Sequence, residues 1–409
     1  MLRHQARTPS AGRLAGSSKL LRAMNESATL AHLLDRGTLT RGDLRELTGL
    51  SKPTTSDVLR RLTDAGLAIV VGHTRGGPGP NAEIYAANPA AAYAVAVSVR
   101  ETTDLHRPEL TAALVDLAGT VHARRQEPVD LSKTDPLGVI AGMVERLADE
   151  AGLERGKVSH VHLGVPGSYD AGAGVIRHID VAGFARPGLV EGLAERLDAS
   201  VEVENDVNLA AIAERSRGVA AEGGSFALVW FGEGLGLAID LGGSLLRGAR
   251  GGAGEIGYVP VGRAGEGPRD LQELVGGPAV VELAAGFGLT KGAAAASPGE
   301  VVAAAVASSA KTAAAFLDEL AARVAQCVAA VAGVLDPPLI VLAGEVAQAG
   351  SEELAQRVRA AISATTPLDI TIAVTGITDD AVLLGALDAG LRTVRDSLIN
   401  ALRTNVPAA

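Results

Sequence analysis

Two places in the chain gather side chains fit for chemistry. The first is Glu204-Asn205-Asp206-Val207-Asn208, where a short apolar strand over 201–203 gives way to a helix predicted over 209–217. Open α/β sheets place ligands beyond the carboxyl ends of their strands. The carboxylate of Asp206 and the amide of Asn205 are each suited to hydrogen-bonding a polyol. Both are equally suited to capping the helix that follows, so residue type leaves the two roles open. A glycine-rich run over 248–257 holds one more carboxylate, Glu255. The glycine turn at 232–236 joins two predicted strands instead of opening a helix, which separates it from dinucleotide and P-loop motifs.

The second place is Gly49-Leu50-Ser51-Lys52-Pro53-Thr54-Thr55-Ser56. Gly49 permits a tight turn, Ser51 caps a helix predicted over 52–65, and Pro53 falls in its first turn, where a missing N–H costs little. Val58, Leu59 and Leu62 form its buried side, which leaves Ser51, Lys52, Thr54, Thr55, Ser56 and Arg60 for the outer one. A preceding helix over 40–48, capped by Thr40 with Asp43 three residues on, and a first helix from Ser18 complete a three-helix unit. That first helix carries Leu20, Leu21, Met24, Leu30, Leu33 and Leu34, and Gly37 stops it. Strands at 68–71 and 82–86 flank a glycine- and proline-rich loop with Arg75 near its tip, the pattern of a β-hairpin wing. The expectation is a winged helix-turn-helix that reads double-stranded DNA, with Arg75 entering a minor groove or meeting phosphate.

Charge agrees with this division. The 409 residues carry a formal charge of −10. Residues 1–90 hold 12 Lys and Arg against 7 Asp and Glu, whereas the remainder holds 25 against 40. A basic front on an acidic body points to a polyanion met only by the front. Aromatic residues make up 2% and hydrophobic residues 47%, so the core is expected to be built from small and aliphatic side chains. One cysteine, Cys327, excludes an internal disulfide and a four-cysteine zinc site. The first 16 residues lack the apolar core of a signal peptide, and a charge together with Ser, Gln and Gly breaks up the alanine-rich stretches at 301–315 and 324–335, so neither export nor a membrane span is expected. Cytoplasmic residence is the expectation.

Behind Asn88-Pro89, read as a hinge, strands over 94–99, 110–117, 158–165, 227–231 and 237–241 alternate with helices over 139–151 and 209–217, the pattern of an α/β layered fold. The divisions expected are a disordered tail over 1–17, a DNA-binding domain over 18–88, an effector and oligomerisation domain of two lobes over 89–400, and a flexible tail over 401–409.

Gly164-Val165-Pro166-Gly167, the 204–208 segment, the glycine-rich stretch over 232–257, and Leu335-Asp336-Pro337-Pro338-Leu339-Ile340-Val341-Leu342-Ala343-Gly344 occur in that order. In this combination the chain resembles the ROK family of repressors, open reading frames and sugar kinases, from about Lys19 to Arg392, with the winged helix typical of the repressor branch. The resemblance implies an actin-like ATPase fold of two α/β lobes around a cleft, assembled as a homodimer or homotetramer. It places Asp206 at the position of the family's catalytic base, and Asn205, Glu255 and Glu273 at positions of sugar ligands.

The chain also departs from the family pattern. Where the kinases carry an Asp-x-Gly-x-Thr phosphate loop, this sequence has Ser98-Val99-Arg100-Glu101-Thr102, so Ser98 replaces the carboxylate and Arg100 the glycine. Phosphoryl transfer rests on positioning and charge stabilisation, so neither ATP binding nor kinase activity is expected. Tyr258 stands where the family has a histidine that contacts sugar and ligates zinc, and residues 259–272 contain no cysteine, so no zinc or other cofactor is expected. Tyr258 is left to offer a hydroxyl to a ligand or to pack the cleft wall. Glu345 replaces the second glycine of the family's Gly-Gly pair. Three readings follow: a regulator, most simply a repressor of carbohydrate genes, whose kinase-like body senses a sugar; a regulator whose body only dimerises; and an active sugar kinase with a DNA-binding arm.

Overall fold

The computed structural model describes residues 11–74, 81–102, 104, 106–154, 156–261, 269–290 and 297–404. The first helix, α1 (Ala11–Arg36), begins seven residues ahead of the expected start at Ser18. Its apolar run divides. Leu30, Leu33 and Leu34 are buried, while Leu20, Leu21 and Met24 are at least half exposed, so only the later turns anchor the helix. Gly37 ends it in the left-handed region.

After β1 (Leu39–Thr40), Thr40 caps α2 (Arg41–Thr48) in a full capping box with Asp43. Gly49 closes α2 at φ 70°, and Ser51 caps α3 (Lys52–Asp64), with Pro53 in its first turn. Leu44, Val58, Leu59 and Leu62 are buried between the helices; each such side chain contributes roughly 1.5–3 kcal/mol by leaving water. Strands β2 (Ala68–His73) and β3 (Glu83–Ala87) pair antiparallel, and β1 adds to β3, which gives a three-stranded wing sheet. Arg75 lies outside the described residues.

The Asn88-Pro89 junction is stitched down on both sides. Asn88 donates its side-chain amide to the Gly66 carbonyl (2.7 Å) and its backbone N–H to Leu67, and Leu117 donates to the Pro89 carbonyl.

The first lobe holds β4 (Tyr93–Arg100), β5 (Glu109–Asp116), β6 (Val121–Pro128), α4 (Pro136–Glu150), β7 (Val158–Val165), the hairpin of β8 (Ser168–Asp170) and β9 (Val175–Arg177), α5 (Leu189–Leu197), β10 (Ser200–Asn205) and α6 (Asp206–Arg217). Its sheet runs β10-β7-β4-β5-β6, with β10, β7 and β4 mutually parallel. Alternation along β4 separates two faces. Val95, Val97 and Val99 pack with α4 and α5, while Ala94 and Ala96 face the opposite side.

The second lobe holds β11 (Phe226–Phe231), β12 (Leu235–Asp240), the short pair β13 (Pro260–Val261) and β14 (Arg269–Asp270), α7 (Leu271–Val275), α8 (Gly277–Gly286), α9 (Pro298–Val306), α10 (Lys311–Leu335), β15 (Ile340–Ala343), α11 (Glu345–Thr365), β16 (Ile372–Val374) and α12 (Ala381–Thr404). Its sheet runs β12-β11-β15-β16. No helix among the described residues is long and apolar enough to cross a membrane.

Helix α12 returns to the first lobe and packs on the small face of β4, on β7 and on α6; its far end packs on α1. The winged-helix core and this seam form one continuous apolar cluster, which includes Leu33, Leu59, Ala94, Leu209, Leu383 and Leu387. Gly385 makes the α6–α12 crossing possible, because a Cβ there would stand 1.8 Å from the Leu209 carbonyl oxygen. Replacing Gly385 with Ala is expected to cost at least about 1–3 kcal/mol through overpacking. Urea unfolding measures it, and a loss under about 0.5 kcal/mol would show that the crossing tolerates the added methyl.

Candidate functional site

The carboxyl ends of β10, β7 and β4 lie side by side, and each ends in a polar or glycine-rich segment. At the end of β10, Asn205 is the N-cap of α6. Its Oδ1 accepts from the backbone N–H groups of Val207 (2.9 Å) and Asn208 (3.1 Å). Its Nδ2 donates to the Gly167 carbonyl (3.2 Å) and to Asp206 Oδ1 (3.0 Å). The amide is thus spent on building the site, and of the two roles open in the sequence the cap is the one that is filled.

Asp206, the first residue of α6, is partly accessible and accepts the Val207 N–H at 2.8 Å. Its carboxyl is pushed up to about 7. Burial is the main cause, the Val207 N–H opposes it, and the charges of Glu101, Glu255 and Glu345 add to it. Those three carboxylates come from the end of β4, the glycine-rich loop after β12 and the start of α11, so both lobes converge on Asp206. Burial also holds Glu101, Glu255 and Glu345 above the ordinary carboxylate range. With Asp206 pushed up to about 7, the convergent carboxyls offer oxygens that accept hydrogen bonds and a carboxyl that can donate one, the pairing that sugar hydroxyls require.

Glycines admit the loops to this junction. A Cβ on Gly254, at φ 98°, would meet the Leu237 carbonyl oxygen at 1.9 Å, and one on Gly236 would meet Val207 at 2.5 Å. Tyr258 is exposed, with its ring 5.6 Å from that of His178. Burial raises its phenol, and the charges of Glu255, Asp180 and Asp270 reinforce this. Glu273 is exposed, and its side chain makes no hydrogen bond or ion pair among the described residues. The neighbouring Gln272 turns inward instead, accepting from the Leu235 N–H (2.8 Å) and donating to the Glu233 carbonyl (3.3 Å).

The residues of this loop do not suit the family's zinc. A phenol stands at 258, no thiol occurs in 259–272, and the sequence's one thiol, Cys327, is buried in α10 and pushed up to about 12. At the end of β4, Ser98 is buried, and Arg100 pairs with Glu109 across the strand pair.

Sequence reasoning named Asp206 and Glu255 but missed Glu101 and His178 and noted Glu345 only as a lost glycine. Glu101 had a readable signal, being a carboxylate at the end of a parallel strand. His178, at φ 53°, had none.

The outer surface of α3 is the second candidate site. Lys52 is exposed, and Ser56 is half-buried with its hydroxyl donated to the Lys52 carbonyl. Ser51 and Thr54 share a hydrogen bond at the start of the helix. Thr55 corrects the expectation. It is fully buried and donates its hydroxyl to the Ser51 carbonyl (3.1 Å), because its position on the helix faces the core. Arg60 is exposed but bound to both Asp57 (2.7 Å) and Asp64 (3.0 Å), which cancels much of its charge. Arg22 and Asn25 of α1 border the start of α3 beside Pro53 and Thr54 and enlarge the polar surface there.

Comparison with known proteins supports this layout. A MarR family model matches residues 21–77. The xylose repressor of Bacillus spizizenii is 22% identical over 253 residues, which cover 59% of this chain and 61% of the repressor. The DNA-binding transcriptional dual regulator NagC of Escherichia coli is 25% identical over 261 residues, 63% of each chain. The chain therefore spans about six-tenths of the length of these relatives. Among solved structures, a ROK family transcriptional regulator homologous to the E. coli MLC protein superposes with a TM-score of 0.71 at 20% identity, over 94% of this chain and all of the other. The ROK hexokinase of Thermus thermophilus gives 0.58 at 23% identity, over 74% of this chain and 99% of its own. The fold is thus a winged helix in front of an actin-like, two-lobed sugar-kinase body. A ROK family model matches residues 103–389, a span that covers most of both lobes, and on that match the chain belongs to the ROK family.

Proposed function

We propose that the chain is a DNA-binding transcriptional regulator, a repressor of carbohydrate-related genes, whose body senses a sugar or sugar derivative without phosphorylating it. On this reading it works in the cytoplasm as a homodimer or homotetramer. The observation that carries the reading is the path of packed helices from cleft to wing. Asp206 opens α6, α6 crosses α12 at Gly385, and α12 packs on α1 of the winged helix, where Arg403 donates to Ser27 Oγ (3.2 Å). A ligand that prefers one lobe arrangement would bias the placement of α3 through this contiguous seam. The relatives named as repressors support the regulatory half.

The cleft chemistry supports a polyol. Asp206, Glu255 and Tyr258 are proposed to contact it together with Glu101, while Asn205 holds Asp206 in place. Glu273, exposed like Tyr258, is proposed as an outer contact. Ser98 and the paired Arg100 remove the features a nucleotide phosphate needs. No ATP-dependent phosphate transfer to hexoses is therefore expected; sustained turnover in a coupled assay would overturn this.

At the DNA face, Lys52→Ala is expected to weaken operator binding and lower the slope of log K against log salt by about one phosphate contact. Arg60→Ala should change little, because Asp57 and Asp64 already neutralise it. The opposite ranking would move the contact surface along α3.

Sugar binding is read by a thermal-shift screen, and Asp206→Asn should abolish the response. Stabilisation by no sugar or sugar phosphate would leave the body a dimerisation scaffold. Asp206 also sets a pH dependence. Its folded pKa of about 7 lies above the unfolded value of 3.8, so between these values the folded chain holds the extra proton and stability falls as pH rises. The stability of Asp206→Asn relative to the parent should therefore climb from pH 4 to 8. A flat difference would mean that Asp206 ionises as an ordinary carboxylate.

A further inference from the structure

On the face of the first-lobe sheet that meets α12, three ligand-type side chains converge away from the cleft. His160 and His162 stand two apart on β7 and so share a face. In register beside them on β10 are Ser200 and Glu202. His160 and His162 are 1% and 5% exposed. Gly390 of α12 lies over them; a Cβ there would come within 3.3 Å of both residues.

The hydrogen bonds decide the tautomer of His160. Ser200 Oγ donates its one proton to the Ser159 carbonyl (3.1 Å), so it accepts from His160 Nδ1–H (2.8 Å). The Nε2 lone pair of His160 therefore points at His162 Nδ1, 3.3 Å away. Glu202 Oε2 lies 3.6 Å from the same Nδ1 and is held there by the Thr393 hydroxyl of α12 (3.1 Å). The three ligand atoms lie within 4.8 Å of one another, the one such group among the described residues.

Two ligands at about 2.1 Å from a tetrahedral ion stand about 3.4 Å apart, close to the observed spacings. We propose that His160, His162 and Glu202 bind a divalent transition-metal ion, with zinc as the ion its two imidazoles and one carboxylate best fit and water at the fourth position. Burial lowers both imidazoles, which favours the neutral form that ligation requires, with His162 pushed down to about 3. Ser200 holds the His160 ring as the hydrogen-bonded partners of metal-bound histidines do. The half-exposed side chain of Glu202 leaves a way in. The nearby guanidinium of Arg247 is paired with Glu204. Through Thr393 an ion here would tie β7 and β10 to α12, the helix on which the winged helix rests.

The test is titration of the chelator-stripped, full-length protein with Co²⁺, followed by the visible band of a tetrahedral complex, alongside the thermal midpoint with Zn²⁺. One equivalent should bind and zinc should raise the midpoint. Glu202→Gln, at a half-exposed position that packing does not depend on, should weaken binding about tenfold or more and remove the zinc shift. His162→Asn should abolish the band if it folds; if it does not, Glu202→Gln decides alone. His106→Ala, at an exposed histidine outside either site, should leave binding unchanged. No stoichiometric band, or one that survives Glu202→Gln, would overturn the proposal and leave the imidazoles a hydrogen-bonded pair in the seam.

Discussion

The structure depends on how closely α12 lies against the first lobe. Ala94 and Ala96 keep that face of β4 shallow, and Gly385 and Gly390 keep the helix surface flat where it crosses α6 and β7. Interiors pack at crystal-like density, so a helix seated this closely responds to changes of a single methyl group. The Ala- and Gly-rich composition thus has a structural use: it allows backbone-level contact where larger side chains would hold the layers apart. Because α1 packs on the same helix, the winged helix is an extension of the large domain's core, despite the proline junction between them.

Electrostatics organise the cleft in the opposite sense. Asp206, Glu101, Glu255 and Glu345 approach from different elements of both lobes; burial, reinforced by the charges of the three glutamates, disfavours the ionisation of Asp206. The loops tolerate this because glycines bring their backbones close and because Asn205 spends its amide on fixing Asp206. The end of β4 carries a guanidinium paired with Glu109, with the Glu101 carboxylate beside it.

Local features were legible in the sequence because they obey local rules. The caps at Thr40 and Ser51, the left-handed Gly37 and Gly49, the paired wing strands and the glycine turn between β11 and β12 each depend on a few adjacent residues, and all form where the residue types require. The ordered motifs carried the family and hence the two-lobed fold. Arg60 was legible in part, since Asp57 and Asp64 stand at helical spacing from it.

What only the tertiary structure decided is which way each side chain faces and which distant chain segments meet. Thr55 looked polar and outward, but the rotation of α3 against α1 and α2 turns it into the core. Gln272 faces the glycine turn while Glu273 faces solvent, a difference of one residue on a single helical turn that no local rule sets. Glu101 and Glu345 gather on Asp206, and His160, His162 and Glu202 meet under Gly390, only because long-range strand order and the return of α12 bring them together. Sequence determines local conformation through short-range sterics and hydrogen bonding; a site assembled across hundreds of residues is set by packing, which no window of sequence contains.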